Sequence, residues 1–225
     1  MKSTTAGRSG SLSIWVMSLY MQPRGYSSQL CSTLHLRLWR QWDGELGMDL
    51  ISVLLDLCKT SERPIIAIDG PAGAGKTTLA TNIHLALYPN YTSTIVHMDD
   101  LYHGWDKALS SELTEVLTHI AKAHRQGQPI SLSKFNWATS EFSPAEPIDD
   151  AQLIILEGVG SGQSAVREYL CALIWIDIDE SKGLSRVLER DGEGIKDHMQ
   201  KWLVTQEQHF AIEKTDNAAD FVLTT

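Results

Sequence analysis

The sequence predicts a three-layer α/β fold in which a parallel sheet of five strands is covered by helices on both faces. Short β-branched, apolar segments alternate along the chain with segments of helical periodicity, which is the pattern of βαβ units. The 225 residues are 43% hydrophobic and 21% charged, ordinary values for a globular protein with a sizeable core. We therefore expect one α/β domain.

The individual elements follow from the length and period of the apolar runs. Short continuous runs predict buried parallel strands at residues 63–69, 92–98, 152–156, 172–178 and 219–223. Apolar residues three and four apart predict helices at residues 48–59, 76–87, 110–125, 182–190 and 195–214. The segment Asp191-Gly-Glu-Gly194 resembles a hinge, so we expect the helix before it to form a small helical lid.

Residues 1–47 differ in composition from the rest of the chain. Residues 1–42 contain five Lys and Arg but no Asp or Glu. A secretory signal is disfavoured because three serines interrupt its apolar run and no A-x-A cleavage site follows. An organellar transit peptide fits the composition, and so does a start of translation at Met48. We treat residues 1–47 as an atypical extension, disordered or wrongly assigned to the chain, and residues 48–225 as the folded α/β domain.

Charge and cysteine usage exclude several classes of protein. The net charge of −9 provides no overall field for nucleic acid or anionic lipid. No run approaches the roughly 18 apolar residues of a membrane-spanning helix. Cys31, Cys58 and Cys171 form no C-x-x-C pair, and the histidines show no zinc-binding spacing. We expect a cytoplasmic protein with reduced thiols and no transition metal, and the sequence sets no oligomeric state.

A glycine-rich segment at residues 70–77, Gly-Pro-Ala-Gly-Ala-Gly-Lys-Thr, matches the pattern G-x-x-x-x-G-K-[ST]. It follows a predicted strand and opens a predicted helix, where backbone N–H groups and the helix N-terminus bind phosphate. This P-loop predicts binding of ATP with Mg²⁺, with Lys76 bridging the β- and γ-phosphates and Thr77 ligating the metal ion. The expected nucleotide-binding residues are Gly70, Ala72, Gly73, Ala74, Gly75, Lys76, Thr77 and Thr78.

Carboxylates follow two of the predicted strands. In open parallel sheets the carboxyl ends of the strands face the ligand crevice. Glu157 ends the third strand and is expected, with Thr77, to hold magnesium. Asp99 and Asp100 follow the second strand. Phosphoryl transfer to an alcohol needs a carboxylate that orients the hydroxyl and takes its proton. We assign this role to Asp99, with Asp100 as the alternative base or as a cap of the following turn.

Four motifs in this order resemble the uridine kinase-like branch of P-loop nucleoside kinases. They are the P-loop, Met98-Asp-Asp-Leu-Tyr-His-Gly-Trp105, Phe135-Asn-Trp137 and Leu156-Glu-Gly158. The resemblance covers most of the chain after Met48. It implies a nucleoside/nucleotide kinase-like fold, Asp99 as base, Glu157 near magnesium, and Tyr102, Phe135 and Trp137 lining the acceptor pocket. By spacing alone, Phe135 and Trp137 fit stacking on a flat ring and core packing equally well.

The acceptor is less defined than the phosphate donor. Members of that branch which take uridine or cytidine carry a histidine three residues after the second aromatic, where this chain has Ser140. We expect transfer to a small-molecule hydroxyl, with a nucleoside as the first candidate. A kinase of a non-nucleoside alcohol is one alternative. A P-loop ATPase or regulatory switch without a small-molecule acceptor is the other.

Two arginines are predicted to act from the lid. Arg186 and Arg190 lie four residues apart on one predicted helix, hence on one face. Guanidinium groups that close over a triphosphate stabilise the charge of the transition state. We list both with Lys76 and Asp99 as catalytic residues; a solvated helix face is the alternative for the arginines.

Overall fold

The computed structural model describes residues 18–21 and 46–225, and its centre is a parallel sheet. The strands are β1 (Ser18–Met21), β2 (Ile65–Asp69), β3 (Ser93–His97), β8 (Leu153–Glu157), β9 (Ala172–Asp177) and β10 (Phe221–Thr224). Their order in the sheet is β1-β10-β9-β2-β8-β3. All neighbours from β10 to β3 are parallel, so the prediction of a five-stranded parallel sheet is confirmed.

A sixth strand from the N-terminal extension adds to this sheet. β1 pairs antiparallel with β10, with Ser18 opposite Thr224 and Met21 opposite Phe221. Apart from these four residues, the predicted extension up to residue 45 lies outside the described residues. The interpretation of residues 1–47 as an atypical extension, disordered or wrongly assigned to the chain, stays a prediction.

The predicted helices are confirmed with small shifts at their ends. They are α1 (Leu46–Cys58), α2 (Lys76–Leu87), α3 (Ser111–Arg125), α4 (Glu180–Asp191), α5 (Lys196–Glu213) and the short α6 (Thr215–Ala218). Short 3₁₀ helices occupy Met98–Asp100, Ser164–Tyr169 and Glu193–Ile195. In the part of the chain that the structure describes, no helix is both long and apolar enough to cross a membrane.

Two hydrophobic clusters hold the three layers together. Along β2, Ile65 and Ala67 face a cluster that includes Leu117 of α3 and Trp202 of α5. The alternate residues Ile66 and Ile68 face a second cluster, built with Leu54 of α1 and Ile83 and Leu87 of α2. A strand whose two faces are both covered needs apolar residues at every position, which explains the continuous apolar runs in the sequence.

Two small hairpin ladders lie between α3 and β8. β4 (Ser131–Leu132) pairs with β7 (Glu146–Pro147), and β5 (Phe135–Asn136) pairs with β6 (Glu141–Phe142). Ser140 closes the inner hairpin in the left-handed conformation, with φ 57°. The hairpin contacts the turn that follows β3 and thereby brings its aromatic residues to the carboxyl end of the sheet.

Candidate active site

The P-loop lies between β2 and α2, as the motif predicts. Gly75 caps α2 in the left-handed conformation, and no side chain caps the helix. The N–H groups of the first turn therefore stay available for an anion. Lys76 folds over the loop, and its Nζ donates to the carbonyl oxygens of Gly70 (2.7 Å) and Pro71 (2.8 Å). Burial lowers the pKa of Lys76, while the carboxylates of Asp69 and Glu157 raise it.

Asp69 anchors the loop, a role that the sequence analysis did not assign. Its buried carboxylate accepts hydrogen bonds from the backbone N–H groups of Gly70 (2.7 Å), Gly160 (3.0 Å) and Gly162 (2.9 Å). Burial raises the pKa of Asp69, and these N–H groups and Lys76 oppose the rise. Because the three donors come from two loops, Asp69 fixes the P-loop relative to the segment after β8. The signal in the sequence was a carboxylate at the end of an apolar strand.

Thr77 and Glu157 meet at the predicted metal position. β8 lies next to β2, and the Thr77 hydroxyl is 3.1 Å and 3.2 Å from the two carboxylate oxygens of Glu157. A hydroxyl and a carboxylate are the hard oxygen donors that Mg²⁺ prefers. Among the described residues, no three His, Cys, Asp or Glu side chains cluster to hold a metal. The pair thus fits a magnesium ion that takes its other ligands from phosphates and water, as Mg²⁺ commonly does.

His97 is a second residue that the sequence analysis did not assign. Its Nδ1 lies 2.5 Å from Oε1 of Glu157, across the β3–β8 pair in which the two residues are in register. This hydrogen bond raises the pKa of His97, and partial burial opposes the rise. The imidazole holds the Glu157 carboxylate beside Thr77, which is the orientation that a metal ligand requires.

Asp99 and Asp100 have different surroundings. Asp99 is exposed at its surface side, and partial desolvation by its neighbours raises its pKa; the positive charges of Lys76 and Arg190 counter the rise, and the negative charge of Glu157 adds to it. Asp99 therefore shares its electrostatic environment with the P-loop. Asp100 instead forms an ion pair with Lys134 of the hairpin at 2.9 Å. The charges that act on Asp99 come from Lys76, Glu157 and Arg190, on the phosphate-loop side, whereas the ion pair of Asp100 lies on the hairpin side.

The three predicted acceptor residues lie at different depths. Tyr102 is buried, and its hydroxyl donates to the carbonyl oxygen of Val159 at 2.7 Å. Phe135 is buried as well and contacts Trp137 edge-on, with ring centroids 5.2 Å apart. Trp137 is 40% exposed, and its Nε1–H donates to the backbone carbonyl of Asp99 at 3.0 Å. Trp137 is thus the predicted aromatic that reaches the surface beside Asp99.

Trp105 and α5 complete an aromatic wall next to Trp137. Trp105 lies 5.2 Å from Trp137 and 6.1 Å from Trp202, measured between ring centroids. His198 stacks on Trp105 at 5.4 Å with an angle of 17° between the rings. Further along the same helix, Oε1 of Gln206 accepts the backbone N–H of Ala72 in the P-loop at 3.0 Å. Sequence reasoning gave α5 no site residue, because its contacts depend on how the helix packs.

The two lid arginines are held in different ways. Nη1 of Arg186 donates to the carbonyl oxygen of Gly73 at 3.3 Å and to the Thr225 hydroxyl at 3.2 Å. Arg190 forms a two-point contact with Asp191, with distances of 2.7 Å and 2.6 Å. Both arginines belong to α4, which packs close against the P-loop at Gly73. Arg186 contacts the loop directly, whereas Arg190 acts on Asp99 and Glu157 through its charge.

In this sheet the P-loop follows the central strand β2, Glu157 ends the adjacent strand β8, and Asp99 follows the next strand, β3. This arrangement defines a P-loop kinase fold. No family model matches the chain. The uridine kinase of Leuconostoc citreum (strain KM20) is 25% identical to it over 180 residues, which are 71% of this chain and 86% of that protein.

Two solved structures share the fold. A possible uridine kinase from Bacillus stearothermophilus has a TM-score of 0.53 and 21% identity, covering 77% of this chain and 98% of its own. A candidate fructose transport system kinase from Silicibacter sp. TM1040 has a TM-score of 0.60 and 16% identity. The match covers 80% of this chain and 98% of that one. At this identity the two structures bear on the fold alone. The two structures confirm the fold, and the curated relative confirms the resemblance to the uridine kinase-like branch and the class of P-loop kinase.

Proposed function

We propose that this protein is an ATP-dependent phosphotransferase that moves the γ-phosphoryl group of ATP to a hydroxyl of a nucleoside-like small molecule. The position of Asp99 carries the proposal. Its carboxylate shares an electrostatic environment with Lys76 and Glu157, while its backbone carbonyl accepts the Trp137 N–H. The same residue therefore joins the phosphate side of the cleft to the aromatic side. Because the reaction consumes ATP, which the cytoplasm supplies, we place the protein in the cytoplasm.

The P-loop would bind the triphosphate. The backbone N–H groups of Gly73 and of residues 75–78 would bind the phosphates, and Lys76 would exchange its bonds to Gly70 and Pro71 for phosphate oxygens. The N–H groups of Gly70 and Ala72 donate to Asp69 and Gln206, so these two residues would shape the loop. Thr77 and Glu157 are the residues that would hold Mg²⁺, which when bound supplies a Lewis acid at the β- and γ-phosphate oxygens. Arg186 keeps α4 on the loop, and Arg190 adds positive charge near Asp99.

Asp99 would act on the acceptor. As the acceptor oxygen bonds to the γ-phosphorus and the bond to ADP breaks, the carboxylate takes the hydroxyl proton. A raised pKa makes Asp99 a better proton acceptor than an ordinary aspartate. The aromatic wall would cover a bound acceptor on this side, which would favour transfer over hydrolysis.

The test compares two neighbouring acids in the full-length protein. ADP release and phosphorylated products are measured with ATP, Mg²⁺ and a panel of nucleosides, sugars and other small alcohols. Asp99→Asn is expected to bind ATP normally and to lose transfer by about a hundredfold or more. Asp100→Asn is the matched control, because Asp100 pairs with Lys134, and should retain most activity.

The other outcomes separate the alternatives. ADP release that no acceptor stimulates, with Asp99→Asn unchanged, would overturn the phosphotransferase and favour an ATPase or switch. Stimulation by a sugar or another non-nucleoside alcohol alone, lost in Asp99→Asn, would keep the reaction and replace the acceptor class.

A further inference from the structure

His198 lies where α5 meets the aromatic wall of the cleft. Three separate segments build this wall: the turn after β3 contributes Trp105, the hairpin contributes Trp137, and α5 contributes His198. Because the Trp137 N–H donates to the carbonyl oxygen of Asp99, the wall adjoins the proposed base. His198 is exposed at the outer end of this row of rings. Its imidazole is a ring with one hydrogen-bond donor and one acceptor when neutral.

The aromatic rings of the hairpin offer no equivalent group. Phe135 and Trp137 provide aromatic surface but no acceptor atom, since the indole N–H is a donor only. Ser140 takes the left-handed conformation, and its backbone N–H closes the turn by donating to the carbonyl oxygen of Asn136 at 2.8 Å. Its short, exposed side chain lies in this tight turn. Of the three rings that form the wall, His198 is therefore the one that both donates and accepts.

The packing of α5 ties His198 to the phosphate side of the cleft. His198, Trp202 and Gln206 follow one another at intervals of four residues and so share one face of the helix. On that face, Trp202 contacts Trp105 and Gln206 accepts the Ala72 N–H of the P-loop. One rigid helix thus sets the distance between the aromatic wall and the loop that would hold the triphosphate.

We infer that His198 determines acceptor specificity: its ring extends the Trp105 surface, and its nitrogens bond to the edge of a flat heteroaromatic ring on the acceptor. This inference rests on the proposed phosphotransfer and names its substrate class as a nucleoside with a planar base. Stacking on Trp105 orients the imidazole, so its nitrogens point along the plane in which a stacked base presents its edge.

Steady-state kinetics on the full-length protein test this role. With the nucleoside that the wild type prefers, His198→Ala is expected to raise the acceptor KM about tenfold, the size of one lost stacking contact and hydrogen bond, and to leave the KM for ATP within about twofold. His198→Phe keeps an aromatic ring but not the nitrogens. It should recover part of the affinity without recovering the preference among bases that differ only at their edge. His119→Ala is the control, since His119 is exposed on α3.

The results distinguish this inference from the proposed function. If His198→Ala keeps the wild-type KM and ranking of nucleosides, the inference is wrong while the phosphotransferase stands. Equal losses in the KM for ATP and for the acceptor would show a structural role of α5 and also overturn it. A wild type that phosphorylates only non-planar alcohols refutes the assignment of the substrate class. A wild type that transfers phosphate to nothing refutes the proposed function itself.

Discussion

Lys76 makes contacts in the nucleotide-free protein that a bound nucleotide would replace. Its ammonium group is buried and bonded to two carbonyl oxygens of its own loop. These bonds hold the cation where the β- and γ-phosphates are expected. In the free protein they also prevent an unpaired buried charge, which would be costly.

Replacement of Lys76 tests the phosphate loop. Lys76→Ala should reduce turnover by about a thousandfold or more, because the transition-state charge loses its neutralising cation. Lys59→Ala is the control, since Lys59 forms an exposed ion pair with Asp56 at the end of α1. Initial rates with saturating acceptor and isothermal titration with ATP provide the measurement. If Lys76→Ala keeps more than about a tenth of the wild-type rate, the loop does not act as assigned.

Residues of the site differ in how well the sequence predicts them. Lys76, Thr77 and Glu157 stand at fixed places relative to a strand and a glycine pattern, so local spacing was sufficient to find them. His97, Trp105 and Gln206 act through partners that are 60, 32 and 134 residues away in the chain. Such pairs depend on strand order and helix packing. Tyr102 was taken from the family resemblance; it is buried and bonded to the Val159 carbonyl, and its role at the acceptor stays a prediction.

At the scale of elements, α4 and the P-loop approach each other at a pair of glycines. A Cβ on Gly73 would lie 2.3 Å from the carbonyl oxygen of Gly183, and a Cβ on Gly183 would lie 2.6 Å from that of Ala72. Neither backbone leaves room for a methyl group. The sequence indicated why Gly73 belongs to the loop, but the need for glycine at position 183 arises only when the helix docks.

Gly183→Ala is expected to push α4 away from the loop. Overpacking of this kind costs about 1–3 kcal/mol, which lowers the Tm by several degrees in a domain of this size. ATP affinity should fall about tenfold, because Arg186 would lose its hydrogen bond to Gly73. Gly194→Ala is the matched control, since a Cβ there meets nothing within 4 Å. Equal Tm and equal ATP affinity in the two variants would contradict the close contact.

At the scale of the whole molecule, the alternation of strands and helices predicted the layers and all five parallel strands. The spacing of apolar residues and the length of each apolar run indicate whether a segment is a helix or a strand, and a buried parallel sheet needs continuous apolar runs. β1 was not predicted, because a four-residue edge strand has no distinctive pattern and its pairing with β10 is antiparallel. Strand order likewise follows from crossover connections that no local pattern encodes.

His124 links the stability of the fold to pH. It is buried at the end of α3, and its Nε2–H donates to the carbonyl oxygen of Pro64 at 3.1 Å, which joins the helix to the start of β2. Burial, and next the charge of Arg63, lower its pKa to about 4. The ordinary value of 6.5 applies to the unfolded chain. Between these values the unfolded state binds a proton that the folded state does not.

The free energy of unfolding should therefore fall as the pH drops from 6.5 to 4, with a slope of at most about 1.4 kcal/mol per pH unit from this group. His124→Gln retains a donor for Pro64 but cannot titrate, so its stability should decline less over the same range. Urea unfolding at several pH values measures the difference between the two proteins, in which the contributions of Asp69 and Asp99 cancel. The exposed His119→Gln on the same helix should follow the wild type. Parallel curves for wild type and His124→Gln would show that His124 titrates alike in the folded and unfolded protein. The hydrogen bond between His124 and Pro64 would then not make the stability of the fold depend on pH.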